Sequence, residues 1–458
     1  MTSIMHDSST IRALANAVEP KSLRTSTPSQ AVLAESAGVF HWTPEGRRLF
    51  DFTSGVLVAN LGHNPTRWTQ RFTKYLNWPT TSGNGSDFFR AVPMTSYNAI
   101  TPLEAESSQR LINFLAARKG GARMHQVLWA ASGSEAIQKA LWASMAFDKS
   151  RPMILATRHG FHGKKGLSYA VSGSENEPER DPRVAFVPFP RSECNDVSQR
   201  SQPFDPSPYL RELDQLADKH GNAFGTFITE PYLGGGGSYH PPKAYLQAVQ
   251  AWCRERDILF ILDEVQSNFG RTGSMFAYET YGLEPDLVVL GKGLGNGVPV
   301  AAVVGRRDVF DSLDYGDASD TWSANALNAA SVMATLDEFE ASDILGTMKP
   351  SSRTIEAGLV KLKECPIVVA VRGEEDGMVW GVEFSKPEYA NAFVLAAYHG
   401  AGANADGVHL LGPLAKKVVR ISPPLVITPA EATAALNILH AACVSLTQDG
   451  PALPHGIA

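Results

Sequence analysis

The chain has 458 residues, 43% of them hydrophobic and 19% charged, with a formal net charge of −6. That length exceeds one ordinary core, so two or three packed regions are expected, in a chain with the composition of a folded soluble protein. The small negative charge argues against a nucleic-acid surface, and no apolar run approaches the roughly 20 residues a membrane-spanning helix needs.

The N-terminal stretch, residues 1–20, lacks a long hydrophobic core, so secretion is not expected. It is Ser/Thr-rich, but Asp7 and Glu19 weaken an organelle-targeting reading. Cys194, Cys253, Cys365 and Cys443 lie far apart without CxxC spacing, and read as reduced thiols of a cytoplasmic enzyme with no metal site.

The first strong strand signal is the apolar run Val127–Ala130, followed by Ser132-Gly133-Ser134 and a helical segment, Glu135–Phe147. Ile137, Leu141 and Met145 recur every four residues there and define an apolar face. Met153–Ala156 is strand-like. Residues 172–207, rich in Pro, Ser and charge, read as a connection around one short strand at Val184–Val187. Phe224–Thr229 predicts a buried strand, and a helix is expected from Pro241-Pro242 through Trp252, since proline suits a first helical turn. Ile258–Leu262, Leu287–Leu290 and Ala301–Val304 follow as short β-rich runs. Fully apolar strands alternating with helices predict an α/β large domain, its mainly parallel sheet covered on both faces.

From about Leu359 the pattern changes. Ile367–Val371, Met378–Glu383 and Val418–Ile421 are strand-like, with helical segments near Tyr389–Tyr398 and Pro429–Gln448. A smaller α+β domain is therefore expected over residues 346–458. An N-terminal segment, residues 1–75, would pack with it, leaving residues 76–345 as the large domain.

Four pieces at the predicted strand ends carry chemistry, because ligands bind there in open α/β sheets. Ser132-Gly133-Ser134 opens a helix, where free N–H groups and a glycine favour an anion; alone, a plain helix start capped by Ser134 is the simpler account. Phe161-His162-Gly163 offers an aromatic to stack on a planar ligand, or only a loop ring folded over the core. Asp263-Glu264 ends an apolar strand; one carboxylate could pair with a cationic ring nitrogen, although charges at strand ends are commonplace. Lys292, between Gly291 and Gly293 after Val288–Leu290, is poised inward, although an isolated lysine is more often a surface cation. Neither GxxxxGK[ST] nor GxGxxG is present there. Together, an anion site, a stacker, a buried acid and a strand-end lysine are the parts needed to bind pyridoxal 5′-phosphate (PLP) and form a Schiff base.

Several motifs extend this pattern over nearly the whole chain. They are Asp51-Phe52-Thr53-Ser54-Gly55-Val56, Leu61-Gly62-His63-Asn64-Pro65, Phe269-Gly270-Arg271-Thr272-Gly273 and Arg420-Ile421-Ser422-Pro423-Pro424-Leu425. With Asp263 and Lys292 standing 29 residues apart, the chain resembles the class III aminotransferases, the group of 4-aminobutyrate, ornithine and acetylornithine aminotransferases and ω-amine transaminases. The resemblance implies PLP fold type I, the aspartate-aminotransferase-like fold, with PLP as cofactor. It also implies Lys292 as the Schiff-base lysine and Asp263 as the partner of the pyridinium nitrogen. Gly133 and Ser134 would hold the phosphate, Phe161 and Val265 would flank the ring, and Gln266 would contact the phenolic oxygen. Glu230 would belong to the network around Asp263. Thr321 would reach the phosphate of the neighbouring subunit of a homodimer, and Arg420 would bind the α-carboxylate of the acceptor.

The implied reaction moves an amino group from an ω-amino acid or amine to pyruvate or 2-oxoglutarate through pyridoxamine phosphate. An aminomutase or racemase on the same fold is the alternative. Three departures stand out: Gly291 before the lysine, Ser323-Ala324-Asn325 in place of Gly-Gly-Asn, and Gly235 where 4-aminobutyrate- and ornithine-type members carry a second acid after Glu-Pro.

Overall fold

The computed structural model describes residues 7–79, 88–178, 180–194, 196–402 and 404–451. By its internal contacts the chain divides into two compact units. One is 66–194 with 198–343; the other joins 1–65, 195–197 and 344–458. Residues 66–75, placed by the sequence reading in the N-terminal segment, form the helix Thr66–Tyr75 of the larger unit.

The larger unit is built on a seven-stranded sheet. In spatial order its strands are Gln126–Ala130, Ala301–Gly305, Leu287–Leu290, Leu259–Asp263, Phe224–Thr229, Met153–Thr157 and Val184–Val187. Ala301–Gly305 runs antiparallel to both neighbours and every other adjacent pair is parallel, so six strands end on one edge. Phe224–Thr229, Leu259–Asp263 and Leu287–Leu290 are buried at every position, as strands covered on both faces require.

The helix Gly133–Phe147 lays Ala136, Ile137, Ala140 and Leu141 on the sheet, in one core with Ile228, Ile261 and Val289. It begins at Gly133, ahead of the periodic apolar residues, because Ser132 rather than Ser134 caps it: the Ser132 hydroxyl accepts the Glu135 N–H. Glu135 Oε2 in turn accepts the Ala131 N–H, one residue before the cap, at 2.8 Å.

The smaller unit holds two sheets. Val368–Gly373, Trp380–Phe384 and Val418–Ile421 form an antiparallel sheet. Glu35–Ala37, Phe40–Trp42 and Arg48–Asp51 form an antiparallel meander, extended by the parallel strand Gly407–His409. Two of its helices, Ile344–Lys361 and Pro429–Asp449, approach so closely that a Cβ on Gly358 would stand 2.5 Å from Leu436 Cδ1. None of the helices among the described residues is long and apolar enough to cross a membrane.

Candidate active site

The shared strand edge of the larger unit gathers the predicted pieces. Val265 is the centre of the group. A Cβ on Gly133 would stand 3.2 Å from its Cγ1, and a Cβ on Gly291 would stand 3.4 Å from the same atom. The helix start at Gly133, the turn after Asp263 and the loop carrying Lys292 therefore meet around one side chain. Lys292 has φ of 47°, a left-handed conformation that a side chain other than glycine adopts only where its surroundings impose it. Asn268 supplies part of that constraint: its amide donates to the Gly291 carbonyl at 3.1 Å and to the Glu264 carbonyl at 2.5 Å.

The two acids at the strand end have separate duties. Asp263, 5% exposed, takes a bond from His162 Nδ1 to its Oδ2 at 2.7 Å and from Val265 N–H to its Oδ1 at 3.0 Å. A carboxylate only accepts, so the His162 proton sits on Nδ1. Glu264 turns the other way and accepts the N–H groups of Ala277 and Tyr278 at 2.7 Å each, holding the start of the helix Ala277–Tyr281. Its burial pushes the carboxyl up to about 8.

Glu230, at the end of Phe224–Thr229, is also buried, and burial raises it to about 7, with Asp263 adding repulsion and His162 opposing. Its oxygens accept from Phe161 N–H at 2.8 Å and Gly234 N–H at 3.1 Å, tying the Phe161 loop to the glycine-rich turn after Pro231. Phe161 keeps 41% of its surface uncovered, leaving a ring face free for a planar ligand. A Cβ on Gly235 would come within 3.0 Å of Phe161 Cβ, so this position has no room for a side chain unless Phe161 yields. A Cβ on Gly234 would collide with the Gln266 amide, which places Gln266 beside the same turn. Ser134 lies against Gly163 in the same way.

Thr321 is exposed on a separate loop of the larger unit, anchored where Asp320 pairs with Lys139 at 2.5 Å. Arg420 lies in the smaller unit, buried within Val418–Ile421. Two contributors escape a reading of the sequence. His162 stood next to Phe161 without a visible partner, and Asn268 carried no signal at all.

The group suits PLP on its own chemistry. Glycines at 133 and 235 leave spaces that a Cβ would fill, an apolar side chain and an uncovered aromatic lie nearby, and a buried carboxylate is fixed by a histidine. The sheet order and this edge define a PLP fold type I transferase. The solved (S)-enantioselective omega-transaminase from Thermomicrobium roseum superposes with a TM-score of 0.80 at 22% identity, covering 96% of this chain and 99% of that one. The model of the family described as aminotransferase class-III matches residues 22–443, and the chain belongs to that family. It is accordingly a PLP-dependent aminotransferase. An acetylornithine aminotransferase from Oceanobacillus iheyensis is 28% identical over 417 residues, covering 89% of this chain and 92% of the relative. An ornithine aminotransferase from Emericella nidulans is 26% identical over 429 residues, covering 92% and 87%.

Proposed function

We propose that the chain transfers an amino group from an ω-amino acid or amine donor to a 2-oxo acid, pyruvate or 2-oxoglutarate, with Lys292 as the covalent attachment point of the cofactor. The observation that carries this reading is the convergence of Gly133, Gly291 and the Asp263 turn on Val265. When bound, PLP supplies the electron sink that makes the amine-bearing carbon acidic.

The chain's residues then divide the work. The N–H groups at Gly133 and Ser134 hold the phosphate at a helix start, and Thr321 completes that site for a neighbouring subunit. Phe161 and Val265 flank the ring, and Gln266 contacts its phenolic oxygen. Asp263, oriented by His162, keeps a proton on the ring nitrogen. Glu230 fixes the Phe161 loop. Lys292 would hold the cofactor covalently, and its amine, when free, would be the base that moves a proton at the substrate carbon. Arg420 receives the acceptor's α-carboxylate, to which a guanidinium can fork.

A homodimer is part of this reading. Phe88, Tyr97, Ile100, Tyr315 and Trp322 are exposed in the larger unit, and Tyr97 Oη lies 3.4 Å from Ser319 Oγ, close in sequence to Thr321. Large exposed apolar side chains of this kind support association. Cys194, Cys253, Cys365 and Cys443 are buried thiols, which supports a reducing, cytoplasmic location.

The test is a panel of donors against acceptors with the purified protein. Each productive pair should yield a new carbonyl compound and an amino acid in equal amounts. Product formed without consumption of any 2-oxo acid would replace this reading with an isomerase.

A further inference from the structure

The smaller unit gathers three histidines around one buried carboxylate. Asp51, at the end of Arg48–Asp51, is fully buried. Its Oδ1 is committed to the chain, accepting Thr53 N–H and Thr53 Oγ1 at 2.7 Å each and Ser54 N–H at 3.1 Å. Its Oδ2 faces imidazoles. His63 Nε2 lies 2.7 Å away and His41 Nε2 lies 3.5 Å away. Strand pairing explains the grouping: His41 is opposite Leu49 and His409 is opposite Asp51, so both share the Asp51 face, while the His63 backbone bridges Gly38.

We propose that His41, Asp51 and His63 form a binding site for one divalent transition-metal ion of the zinc class. The three donor atoms lie within 4.8 Å of one another. In a tetrahedral site with bonds of about 2.0–2.2 Å, neighbouring donors stand roughly 3.3–3.6 Å apart. The His41–Asp51 separation of 3.5 Å is already that span and is too long for a hydrogen bond. The His63–Asp51 pair, at 2.7 Å, must open by roughly 0.6–0.9 Å to reach the same span. His63 can make that move, because its side chain is 17% exposed and gives an ion a way in from solvent.

The surroundings have the form of a metal shell. His41 Nδ1 is bonded to Ser36 Oγ at 2.6 Å, which fixes the ring with Nε2 towards Asp51. A ligand histidine whose other nitrogen is held by a polar neighbour is the usual outer-shell arrangement. The third ring, His409, meets His41 edge-on at 5.5 Å, and its Nδ1 is shielded from water with no hydrogen-bond partner among the described residues. Two imidazoles and one carboxylate suit zinc, cobalt or nickel better than magnesium or calcium, which prefer oxygen alone. The fourth position falls to water or to His409. A bound ion would clamp Phe40–Trp42, Arg48–Asp51 and the His63 loop together.

The holoenzyme, stripped with a chelator and dialysed, is titrated with Co²⁺ and then Zn²⁺. One Co²⁺ per chain, a visible band typical of nitrogen and oxygen ligands, displacement by Zn²⁺ and a raised Tm are expected. His41→Gln should weaken Kd by at least about tenfold, and so should Ser36→Ala, which removes only the outer-shell bond. Cofactor absorbance reports folding in both variants. If His41→Gln fails to fold, Ser36→Ala and zinc-edge X-ray absorption on the unaltered protein, which should show imidazole scattering, still decide the matter. Absence of a stoichiometric ion would overturn the proposal in favour of a cluster bridged by protons alone. So would binding unaffected by either variant, or a sulfur-ligated ion.

Discussion

His162 gives the sharpest test of how the site is held. Asp263 has two donors to keep its carboxylate in place, Val265 N–H at 3.0 Å and His162 Nδ1 at 2.7 Å. The second is a short, charge-assisted bond in a setting where both side chains are almost wholly buried. Removing a hydrogen bond to a charged group costs about 1.5–3 kcal/mol. If that loss falls on the transition state, it corresponds to roughly a 10- to 150-fold fall in kcat at 1.36 kcal/mol per decade. His162→Phe keeps a ring of similar bulk and deletes the donor, so it should show the full loss with the fold intact. His162→Asn sets an amide N–H near the position of Nδ1 and should recover at least half of the lost decades. The assay is single-turnover conversion of the donor, with cofactor affinity measured in parallel. If His162→Phe turns over within twofold of the unaltered enzyme, or if His162→Asn is no better than His162→Phe, the carboxylate does not depend on this bond.

Lys292→Ala should lose both the covalently held yellow cofactor and turnover while its circular dichroism is unchanged; borohydride labelling of another lysine would refute the assignment. Asp263→Asn preserves shape but not charge, and a rate loss of about 10²-fold or more is expected, as when a preorganised electrostatic group is removed. Arg420→Ala should slow the 2-oxo-acid half-reaction far more than that of a simple amine, because only the former brings a carboxylate; equal losses in stopped-flow absorbance would remove that role. Glu264 titrates at about 8 when folded, against 4.5 as its ordinary value. The folded state therefore holds this proton more tightly, and the stability drawn from the group falls as pH rises from about 4.5 to about 8. Glu264→Gln, which cannot ionise, should melt below the unaltered protein at acid pH by a margin that narrows over this window; a constant or widening margin would contradict the assigned shift.

The larger unit was the more legible part of the fold. Leu259–Asp263 and Leu287–Leu290 are wholly apolar up to their last residue or two, and a chain writes such runs only for strands hidden on both faces. The start of Gly133–Phe147 was misjudged because a cap and a phosphate-binding turn draw on the same residues, here Ser132 and Ser134. The meander at residues 35–51 gave no signal. Its strands are three or four residues long, and the fourth strand of its sheet, Gly407–His409, lies more than 350 residues away in the sequence. Motifs pointed to residues that the fold gathers at the strand edge but not to what holds them. His162 and Asp263 are 101 positions apart, and only the fold makes them neighbours. The same is true of His41 and His409.

Asp263 and Glu264 are adjacent in sequence yet serve different parts of the molecule, one turned to the ligand edge and the other to the helix behind it. Alternation along an extended backbone accomplishes this division with no extra device. It also couples the two positions in evolution. On the proposed reading, either residue exchanged singly should damage one property, turnover or folding. Inserting or deleting a residue between Leu259 and Glu264 reverses both orientations together, aiming the wrong acid at the ligand edge and leaving the amides of Ala277 and Tyr278 without their acceptor. This strand can therefore vary in composition but not in length, and lineages that diverge in substrate must make their insertions elsewhere.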